Sequence, residues 1–342
     1  MVARKATYGR VMSAPHLQIM TAQEYIISTL HALAEPVRME DIGNTPLQEA
    51  IFAKVMSKKF RKLKADEETV RIVKRAIDSA VKNNKPVTVS FLFGGNKLWR
   101  FDEAPEIEWA ELFSLTYFVR WMKSIASVYQ PGARLDYYSQ ALNVEIMNNV
   151  PLAETEKYTK TFRAMLDWVK PYIPDKVAIT YREYADEFHD YADFVRELEV
   201  AKQNTLKANG GKLPELSEKQ KSATELNVRL LPGQDQDPQW REKVELIHQS
   251  IEATETFQHC YFDDTSLILA CPTIYKGWLA VGSTKRSYAK FWAGLGVLEK
   301  SDDGFNELVL TPKQLDSAKF DWESVNIEGL TGKNFSRIRI LK

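Results

Sequence analysis

One stretch, residues 85–147, constrains the fold most, because it holds a strand, a loop, a helix, a turn and a second strand in succession. Residues 87–93 are mainly β-branched and aromatic and end at two glycines, a pattern that predicts a buried strand. Residues 106–129 are apolar on nearly every side and contain no helix breaker, which predicts a core helix. After a Pro-Gly turn, residues 134–139 alternate as a strand does. This order predicts a βαβ unit with two parallel strands.

The segments around this unit predict a larger α/β domain. Residues 1–84 should form a helical N-terminal region packed on the core, with one helix capped by Thr21 and another capped by Asp66. Residues 85–200 should form the α/β core with the candidate site. They would add a helix over 154–169, a third strand over 176–180 and a charged helix over 182–200.

The last part of the chain changes character twice. Residues 201–239 are rich in Lys, Asn, Gly, Gln and Pro, which predicts a mobile insertion, a lid or a connector between domains. Residues 240–342 should complete the core as an α+β part. Helices are expected over 240–256 and 287–297, strands over 267–270, 278–281 and 305–310, and a final edge strand over 337–342. The expected fold is therefore a Rossmann-like, mostly parallel sheet flanked by helices.

Composition excludes several classes of protein. The chain has 342 residues and 44% of them are hydrophobic, enough for one large or two modest domains. Its 46 basic residues balance 46 acidic ones, so no overall field favours nucleic acid or an anionic membrane. The basic cluster at residues 58–64 is followed at once by acids, and a solvated helix end explains it better than a nucleic-acid patch. We expect no nucleic-acid partner.

The location of the protein is expected to be cytoplasmic. Its two cysteines, Cys260 and Cys271, are too few and too isolated for a disulfide framework or a metal knuckle, which suits a reducing compartment. The N-terminal residues lack the apolar core of a signal peptide, and no run approaches the ~20 apolar residues of a membrane span. Export and membrane insertion are not expected.

Two histidines lie beside carboxylates, but neither pattern predicts a metal site. His189 has Glu187 and Asp190 close in sequence, yet neighbouring positions on a helix point in different directions. His259 has two acids nearby, Asp263 and Asp264, and a capping or turn role explains them better. The common nucleotide, kinase, serine-hydrolase and zinc motifs are absent from the sequence, and so are internal repeats. We expect no metal.

The residues after the first predicted strand point to a binding site. Gly94 and Gly95 allow a tight turn and a close approach by another segment. Asn96, Lys97 and Arg100 then place donors and positive charge just beyond the carboxyl end of the strand, where open α/β sheets bind ligands. The sequence therefore predicts a site for a polar small molecule here.

A second candidate lies near the end of the chain. Residues 282–286 contain a glycine, two hydroxyls, Lys285 and Arg286 at a predicted strand-to-helix junction. Backbone donors and a helix amino end at such a junction can hold phosphate or carboxylate. Junctions of this kind also occur without a ligand, so both interpretations stay open.

In residues 85–170 a strand ends in an aromatic turn with a lysine (SFLFGGNK), and an acidic, Pro-containing link (DEAPEIE) leads to a helix that opens with Ala110-Glu111. The segment VYQPGA, a strand that ends at Ser139 and a helix preceded by Tyr158 come later. This order of features, with VYQPGA as its most specific piece, resembles the isocyanide (isonitrile) synthase family, which is grouped with pyoverdine and dityrosine biosynthesis enzymes.

The sequence departs from the family pattern at three places. The family strand ends in a proline-rich turn with lysine, where this chain has glycines at 94 and 95. The family has Ser-Asp-Gly after its second strand, whereas this chain has Ser139-Gln140-Ala141 and lacks the carboxylate. The Arg-Leu-Ser-Ile-His type of segment expected later is not recognisable.

The resemblance implies a reaction and a set of roles. The α-amine of an amino acid would condense with the ketone of a pentulose phosphate, without a metal or redox cofactor. Lys97 and Arg100 would hold phosphate or carboxylate, and Glu111 would act as base or amine partner. The remaining substrate-binding candidates are Ser139, Asn148, Lys285 and Arg286, with Gly94, Gly95 and Asn96 shaping the turn.

Simpler roles and other functions stay open. Lys97 could be a solvated loop lysine, and Glu111 could be a partner of the helix dipole in the first turn. The chain could also be another transferase or lyase acting on an amino acid or sugar phosphate, or a non-catalytic small-molecule-binding protein. In each case the partners are small molecules, and Lys97 and Ser139 are expected at one rim of the sheet.

Overall fold

A computed structural model describes residues 20–60, 63–213, 215, 217–218, 228–229, 240–253, 266–270, 277–302 and 304–342 of the chain. Its helices are α1 (Ala22–Ala34), α2 (Leu47–Val55), α3 (Glu67–Lys82), α4 (Trp109–Ala126), α5 (Ala141–Asn148), α6 (Leu152–Val169), α7 (Tyr191–Ala208), α8 (Trp240–Ala253) and α9 (Pro312–Ser317). Short 3₁₀ turns occur at Lys170–Tyr172, Tyr184–Glu187, Phe291–Ala293 and Lys333–Phe335.

The first sheet has five parallel strands. They are β1 (Val87–Phe93), β2 (Ala133–Ser139), β3 (Val177–Glu183), β4 (Ser266–Ala270) and β5 (Leu279–Ala280). Their order across the sheet is β3-β2-β1-β4-β5. The chain thus moves outward from β1 in one direction and then returns to the other side of β1. The direction of winding changes between β1 and β4, and sheets of this kind bind ligands outside the carboxyl ends of the strands at such a point.

The second sheet is mixed and comes from the last part of the chain. Its strands are β6 (Leu295–Ser301), β7 (Gly304–Leu310), β8 (Phe320–Ser324) and β9 (Arg337–Leu341), in the order β7-β6-β9-β8. β6 and β7 form an antiparallel hairpin, whereas β6 and β9 are parallel. The α/β fold with an α+β C-terminal part is therefore confirmed.

The central helix α4 lies between the two sheets. Its Phe118 ring packs on Phe91 of β1, with ring centroids 5.1 Å apart. At its start, the indole Nε1 of Trp109 donates to the carbonyl of Arg337 in β9 at 2.8 Å. Because both sides face apolar partners, almost every residue of α4 is buried. This double burial explains why the helix is apolar all round.

The N-terminal helices follow the predicted caps. Thr21 caps α1 together with Glu24, and the side chain of Asp66 accepts a hydrogen bond from Thr69 N at 2.7 Å at the start of α3. The buried faces of both helices belong to the main hydrophobic core. Ala22 N also donates to Glu323 of β8 at 2.6 Å, which joins this region to the second sheet. None of the described helices combines the length and the apolar character that a membrane span requires.

Two predicted boundaries around β3 are wrong. The strand continues to Glu183, and the helix predicted from residue 182 begins only at Tyr191. The helix does not begin before Tyr191 because Asp190 is its cap. The Asp190 side chain accepts a hydrogen bond from Asp193 N at 2.8 Å. Tyr184 therefore lies in a 3₁₀ turn, where its ring packs on Phe188 at 5.0 Å between centroids.

The C-terminal part corrects two further predictions. Residues 287–297 were expected as a helix, but only Phe291–Ala293 forms a 3₁₀ turn before β6 begins at Leu295. Glycines at 294 and 296 disfavour a helix, and β7 supplies the backbone partners of β6. The chain end forms a strand as expected, but β9 lies between β6 and β8 and is not an edge strand.

Candidate active site

The loop after β1 lies against the end of β2. Gly95 has a φ of +69°, and a Cβ atom there would lie 2.2 Å from Ser139 Oγ and 3.0 Å from Ala141 N. Only glycine accommodates both the left-handed backbone and this approach. The close contact predicted from the two glycines is therefore made with the carboxyl end of β2 and the start of α5.

Lys97 extends from this loop into the protein. Its Nζ donates to Glu108 Oε1 at 2.7 Å, to Glu111 Oε1 and Oε2 at 3.1 and 3.2 Å, and to the carbonyl of Phe291 at 2.9 Å. The side chains of all three charged residues are enclosed, with at most 1% exposed. The alternative of a solvated loop lysine is therefore wrong. The amine contacts two carboxylates and a backbone carbonyl inside the protein.

The two glutamates form the start of α4. Glu108 is the cap, since its Oε1 accepts from Ala110 N at 2.9 Å, while Glu111 Oε2 accepts from Glu108 N at 2.9 Å. Glu108 Oε2 also accepts from Gly296 N of β6 at 3.0 Å. Glu111 therefore lies in the first turn, where the helix-dipole alternative placed it, and this position coexists with the contact to Lys97.

Tyr158 completes this group from α6. Its buried hydroxyl donates to Glu111 Oε1 at 3.1 Å, and its ring stacks with Phe162 at 6.0 Å between centroids. Lys97, Glu108, Glu111 and Tyr158 are referred to below as the Lys97 cluster. Sequence reasoning assigned no role to Glu108 or Tyr158. The acidic residue just before a helix start signals a cap for Glu108, and the resemblance already contained Tyr158.

The charges in the Lys97 cluster do not balance, because one ammonium faces two carboxylates. Burial alone would lower the pKa of Lys97, but the carboxylates of Glu108 and Glu111 outweigh it and raise that pKa. Burial raises the pKa of Glu111 to about 7, against the opposing charge of Lys97 and with a further upward contribution from Glu108. A carboxyl group that titrates near neutral pH can exchange protons with a substrate.

A second polar group lies at the ends of β2 and β3. The Tyr181 hydroxyl donates to Thr159 Oγ1 at 3.4 Å, and Ser139 and Glu183 lie close enough to affect, or be affected by, its ionisation. Burial raises the pKa of Tyr181 and of Glu183. Arg163 Nη2 donates to Glu183 Oε1 at 2.7 Å. No sequence pattern singled out Tyr181 or Glu183, because both lie beyond the third strand predicted over 176–180.

The remaining predicted residues spread along the same edge and around it. Asn96 is partly buried, and Arg100 is exposed with its guanidinium 5.0 Å from the centre of the Trp99 ring. Asn148 ends α5, where its carbonyl accepts from Arg229 N at 2.9 Å. Lys285 and Arg286 are exposed after β5, and Arg286 forms an ion pair with Glu299. The structure thus brings Gly94, Gly95, Asn96 and Ser139 together, whereas the contacts of Asn148 and Arg286 are with other residues, Arg229 and Glu299.

Metal binding finds no support in the described part of the chain. No group of three or more His, Cys, Asp or Glu side chains there could hold a metal ion. His189 is exposed, and its Nδ1 lies 3.2 Å from Asp190 Oδ2. The other candidates, His259, Asp263 and Asp264, lie outside the described residues, and so do both cysteines and most of the insertion predicted over 201–239.

Comparison with known proteins shows a shared fold. The PvcA protein from Pseudomonas aeruginosa superposes with a TM-score of 0.61 at 14% sequence identity, covering 87% of this chain and 100% of that chain. A tryptophanyl-tRNA synthetase homolog from Entamoeba histolytica has a TM-score of 0.29 at 9% identity, covering 75% and 56%, which is too low to support an argument. No family model and no curated protein matches the chain.

Proposed function

We propose that the chain is a biosynthetic enzyme of small-molecule metabolism that joins the amine of an amino acid to the ketone of a pentulose phosphate, as isonitrile synthases do. The observation that carries the proposal is the Lys97 cluster. It places a carboxyl group with a pKa of about 7, Glu111, directly behind the loop that follows β1. Titratable groups with such shifts concentrate at functional sites.

The first chemical step needs the proton exchange that Glu111 offers. The amine nitrogen attacks the ketone carbon, a C–N bond forms, and loss of water leaves an imine. The attacking ammonium must first lose a proton, and the departing hydroxyl must gain one. Glu111 would accept the first proton and return the second, and the Tyr158 hydroxyl at 3.1 Å would relay it. Lys97 would hold Glu111 in place and keep its carboxylate form accessible near neutral pH.

Two further observations support the proposal at the level of the fold. The α/β fold implied by the resemblance is the one observed, and the chain shares its fold with PvcA over nearly its whole length. The resemblance also places Ala110-Glu111 at the start of a helix and Ser139 at the end of a strand, where both are found. The substrate and the reaction belong to the proposal alone.

The missing acid after β2 has a structural counterpart. Gln140 stands where the family has a carboxylate, and its backbone N donates to Phe93 O at 2.9 Å. At the end of the adjacent strand, Glu183 lies close to the Tyr181 hydroxyl, as Ser139 does. We therefore assign to Glu183 the carboxylate that would orient the substrate amine at this edge.

The test is direct incubation with the two substrates. Purified protein is mixed with a panel of amino acids and ribulose 5-phosphate, and the isonitrile is detected by mass or as its tetrazine adduct. Glu111→Gln should lower the rate at least 100-fold, since general acid–base groups contribute about 10²–10⁴-fold. Glu106→Gln is the matched control. Glu106 lies on the same link and pairs with the half-exposed Lys157 at 2.8 Å, and its loss should leave the rate unchanged.

The outcomes separate the hypotheses. No isonitrile from any amino acid, together with intact binding of ribulose 5-phosphate, would favour another transferase or lyase or a non-catalytic binding protein. The second of these has one observation in its favour, because four protein oxygens already surround the Lys97 amine. Equal rates for Glu111→Gln and the wild type would remove Glu111 from the chemistry.

A further inference from the structure

Two hydroxyl groups after β5 are fully enclosed and have no hydrogen-bond partner among the residues that the structure describes. Ser283 and Thr284 are each 0% exposed, and neither Ser283 Oγ nor Thr284 Oγ1 has a partner in that part of the chain. Buried hydroxyls in folded proteins are nearly always paired, because an unpaired one loses its hydration without compensation. Thr116 of α4 shows the usual case, since its buried hydroxyl donates to Phe113 O at 3.0 Å. Within the described residues, Ser90 Oγ and Ser114 Oγ in the core are also unpaired, but only Ser283 and Thr284 are adjacent in sequence, and two neighbouring hydroxyls can act together on one bound molecule.

The position of the pair favours a ligand site. β5 is parallel to β1, and β4 lies between them, so the carboxyl ends of β1 and β5 share one edge of the sheet. Two strand spacings put these ends about 10 Å apart. Ser283 and Thr284 come three and four positions after β5 ends at Ala280. They therefore lie at the edge where sheets of this kind bind ligands.

The segment that carries the pair returns to the Lys97 cluster. From residue 281 the chain runs back to the loop that follows β1, where Trp292 O accepts from Leu98 N at 2.8 Å. One residue earlier, the carbonyl of Phe291 accepts from Lys97 Nζ at 2.9 Å. The segment thus crosses the sheet edge at the point where the direction of winding changes. It connects the hydroxyl pair to the candidate catalytic group over a short stretch of chain.

The charge of this segment favours an anion. Residues 281–293 contain three cations, Lys285, Arg286 and Lys290, and no Asp or Glu. Arg286 is paired with Glu299 of β6. Lys285 is exposed and directly follows Thr284, so it is the cation nearest in sequence to the hydroxyl pair. Hydroxyl donors next to a positive charge are suited to phosphate oxygens.

We propose that Ser283 and Thr284 bind the phosphate group of the substrate, with Lys285 supplying positive charge at the edge of the subsite. The assignment rests on the proposed function, in that it names which residues take the phosphate of the pentulose phosphate. It also means that Lys97 does not bind the phosphate, because the Lys97 amine already donates to two carboxylates and a carbonyl. The phosphate end and the reacting ketone would then lie at opposite ends of the segment 281–293.

Thr284→Val tests the subsite, because valine has nearly the same shape and lacks the hydroxyl. If the hydroxyl serves only a ligand, the variant without ligand should have a higher Tm than the wild type, since an unpaired buried group has been removed. Its affinity for ribulose 5-phosphate and for inorganic phosphate, measured by calorimetry, should fall at least 10-fold. Ser283→Ala should weaken both affinities in the same direction.

Thr116→Val is the matched control, since it removes a buried threonine hydroxyl that has a partner. It should lower Tm and leave both affinities unchanged. Unchanged phosphate affinity in Thr284→Val, or a lower Tm in that variant, would overturn the subsite. Calorimetry with inorganic phosphate requires no turnover, so this result stands apart from the search for an isonitrile. A protein that binds phosphate through Thr284 and makes no isonitrile would refute only the proposed function.

Discussion

Lys97 Nζ lies 2.7 Å from Glu108 Oε1, and neither side chain reaches solvent. This pair joins three parts of the chain, because Lys97 follows β1, Glu108 caps α4, and Glu108 also accepts from Gly296 N of β6. A buried pair of this kind costs desolvation and repays it only through good geometry and further hydrogen bonds. The same contacts that could support chemistry at Glu111 therefore also hold the second sheet against the first helix of the core.

Lys97→Met should strongly destabilise the protein. The variant leaves two buried carboxylates without their counter-charge, and breaking a buried ion pair in this way costs about 3–5 kcal/mol. The free energy of unfolding, measured in urea, reports the loss. Lys54→Met is the control, because Lys54 and Glu40 are partly exposed and such pairs contribute about 0–1 kcal/mol.

If Lys97→Met does not fold, a double variant still tests the prediction. Lys97→Met combined with Glu108→Gln removes one unpaired charge, so the double variant should be more stable than Lys97→Met alone. A loss below about 1 kcal/mol in Lys97→Met would mean that the carboxylates need no cation.

The contribution of Glu111 to the free energy of unfolding should decrease as the pH rises from about 4.5 to about 7. Its pKa is about 7 in the folded protein and ordinarily 4.5, so the folded state holds a proton that the unfolded state has released across this range. The contribution is complete below pH 4.5 and lost above pH 7. The two pKa values correspond to about 3 kcal/mol.

The free energy of unfolding of the wild type minus that of Glu111→Gln should therefore decrease across this window. Subtracting the variant removes the contributions of the other groups that titrate in the same range. A difference that stays flat, or that grows with pH, would show that Glu111 is ionised throughout.

Tyr158→Phe should shift to higher pH the range over which the contribution of Glu111 to the free energy of unfolding decreases. The Tyr158 hydroxyl donates to Glu111 Oε1 at 3.1 Å, and a donor of this kind stabilises the carboxylate more than the acid. Its removal raises the pKa of Glu111, so the midpoint of the decrease should lie above that of the wild type. Tyr129→Phe removes hydroxyl contacts to Ala80 O and Lys85 O, and it should lower stability without moving the midpoint.

The sequence predicted the elements whose pattern is local. β1 and α4 were predicted from the run 87–93 and from the apolar stretch after residue 105. Both elements are buried on two sides, so their sequences are apolar almost throughout. Helix and strand were confused at 287–297, where a short apolar run fits both and only pairing with β7 decides. The boundary near Asp190 differs from the prediction because an acidic residue fits the interior of a charged helix as well as its cap, and only the contact with Asp193 N decides.

The candidate site was predicted only in part, because its partners are distant in sequence. Lys97 was singled out by its position after a strand, but its burial depends on Phe291, 194 residues away. The closeness of Glu183 and Ser139 to the Tyr181 hydroxyl needs the register of β2 and β3, which residue patterns do not fix. Side-chain direction at the edge of a sheet follows from such long-range contacts.

Gly94 and Gly95 should differ sharply in their tolerance of alanine. A Cβ at residue 94 would meet the flexible end of Asn96 at 2.7 Å and the edge of Trp292 at 3.3 Å. Because the Asn96 side chain can turn aside, Gly94→Ala should cost under about 1 kcal/mol.

At residue 95 the φ of +69° is unfavourable for alanine, and the new methyl group would collide with Ser139 Oγ at 2.2 Å and with the backbone N of Ala141 at 3.0 Å. Strain in the left-handed region and overpacking together predict a loss of at least about 2 kcal/mol in the free energy of unfolding. Urea titration of the two variants side by side measures both values. Equal losses would contradict the placement of Gly95 against the end of β2, and with it the geometry of the loop that leads into Lys97.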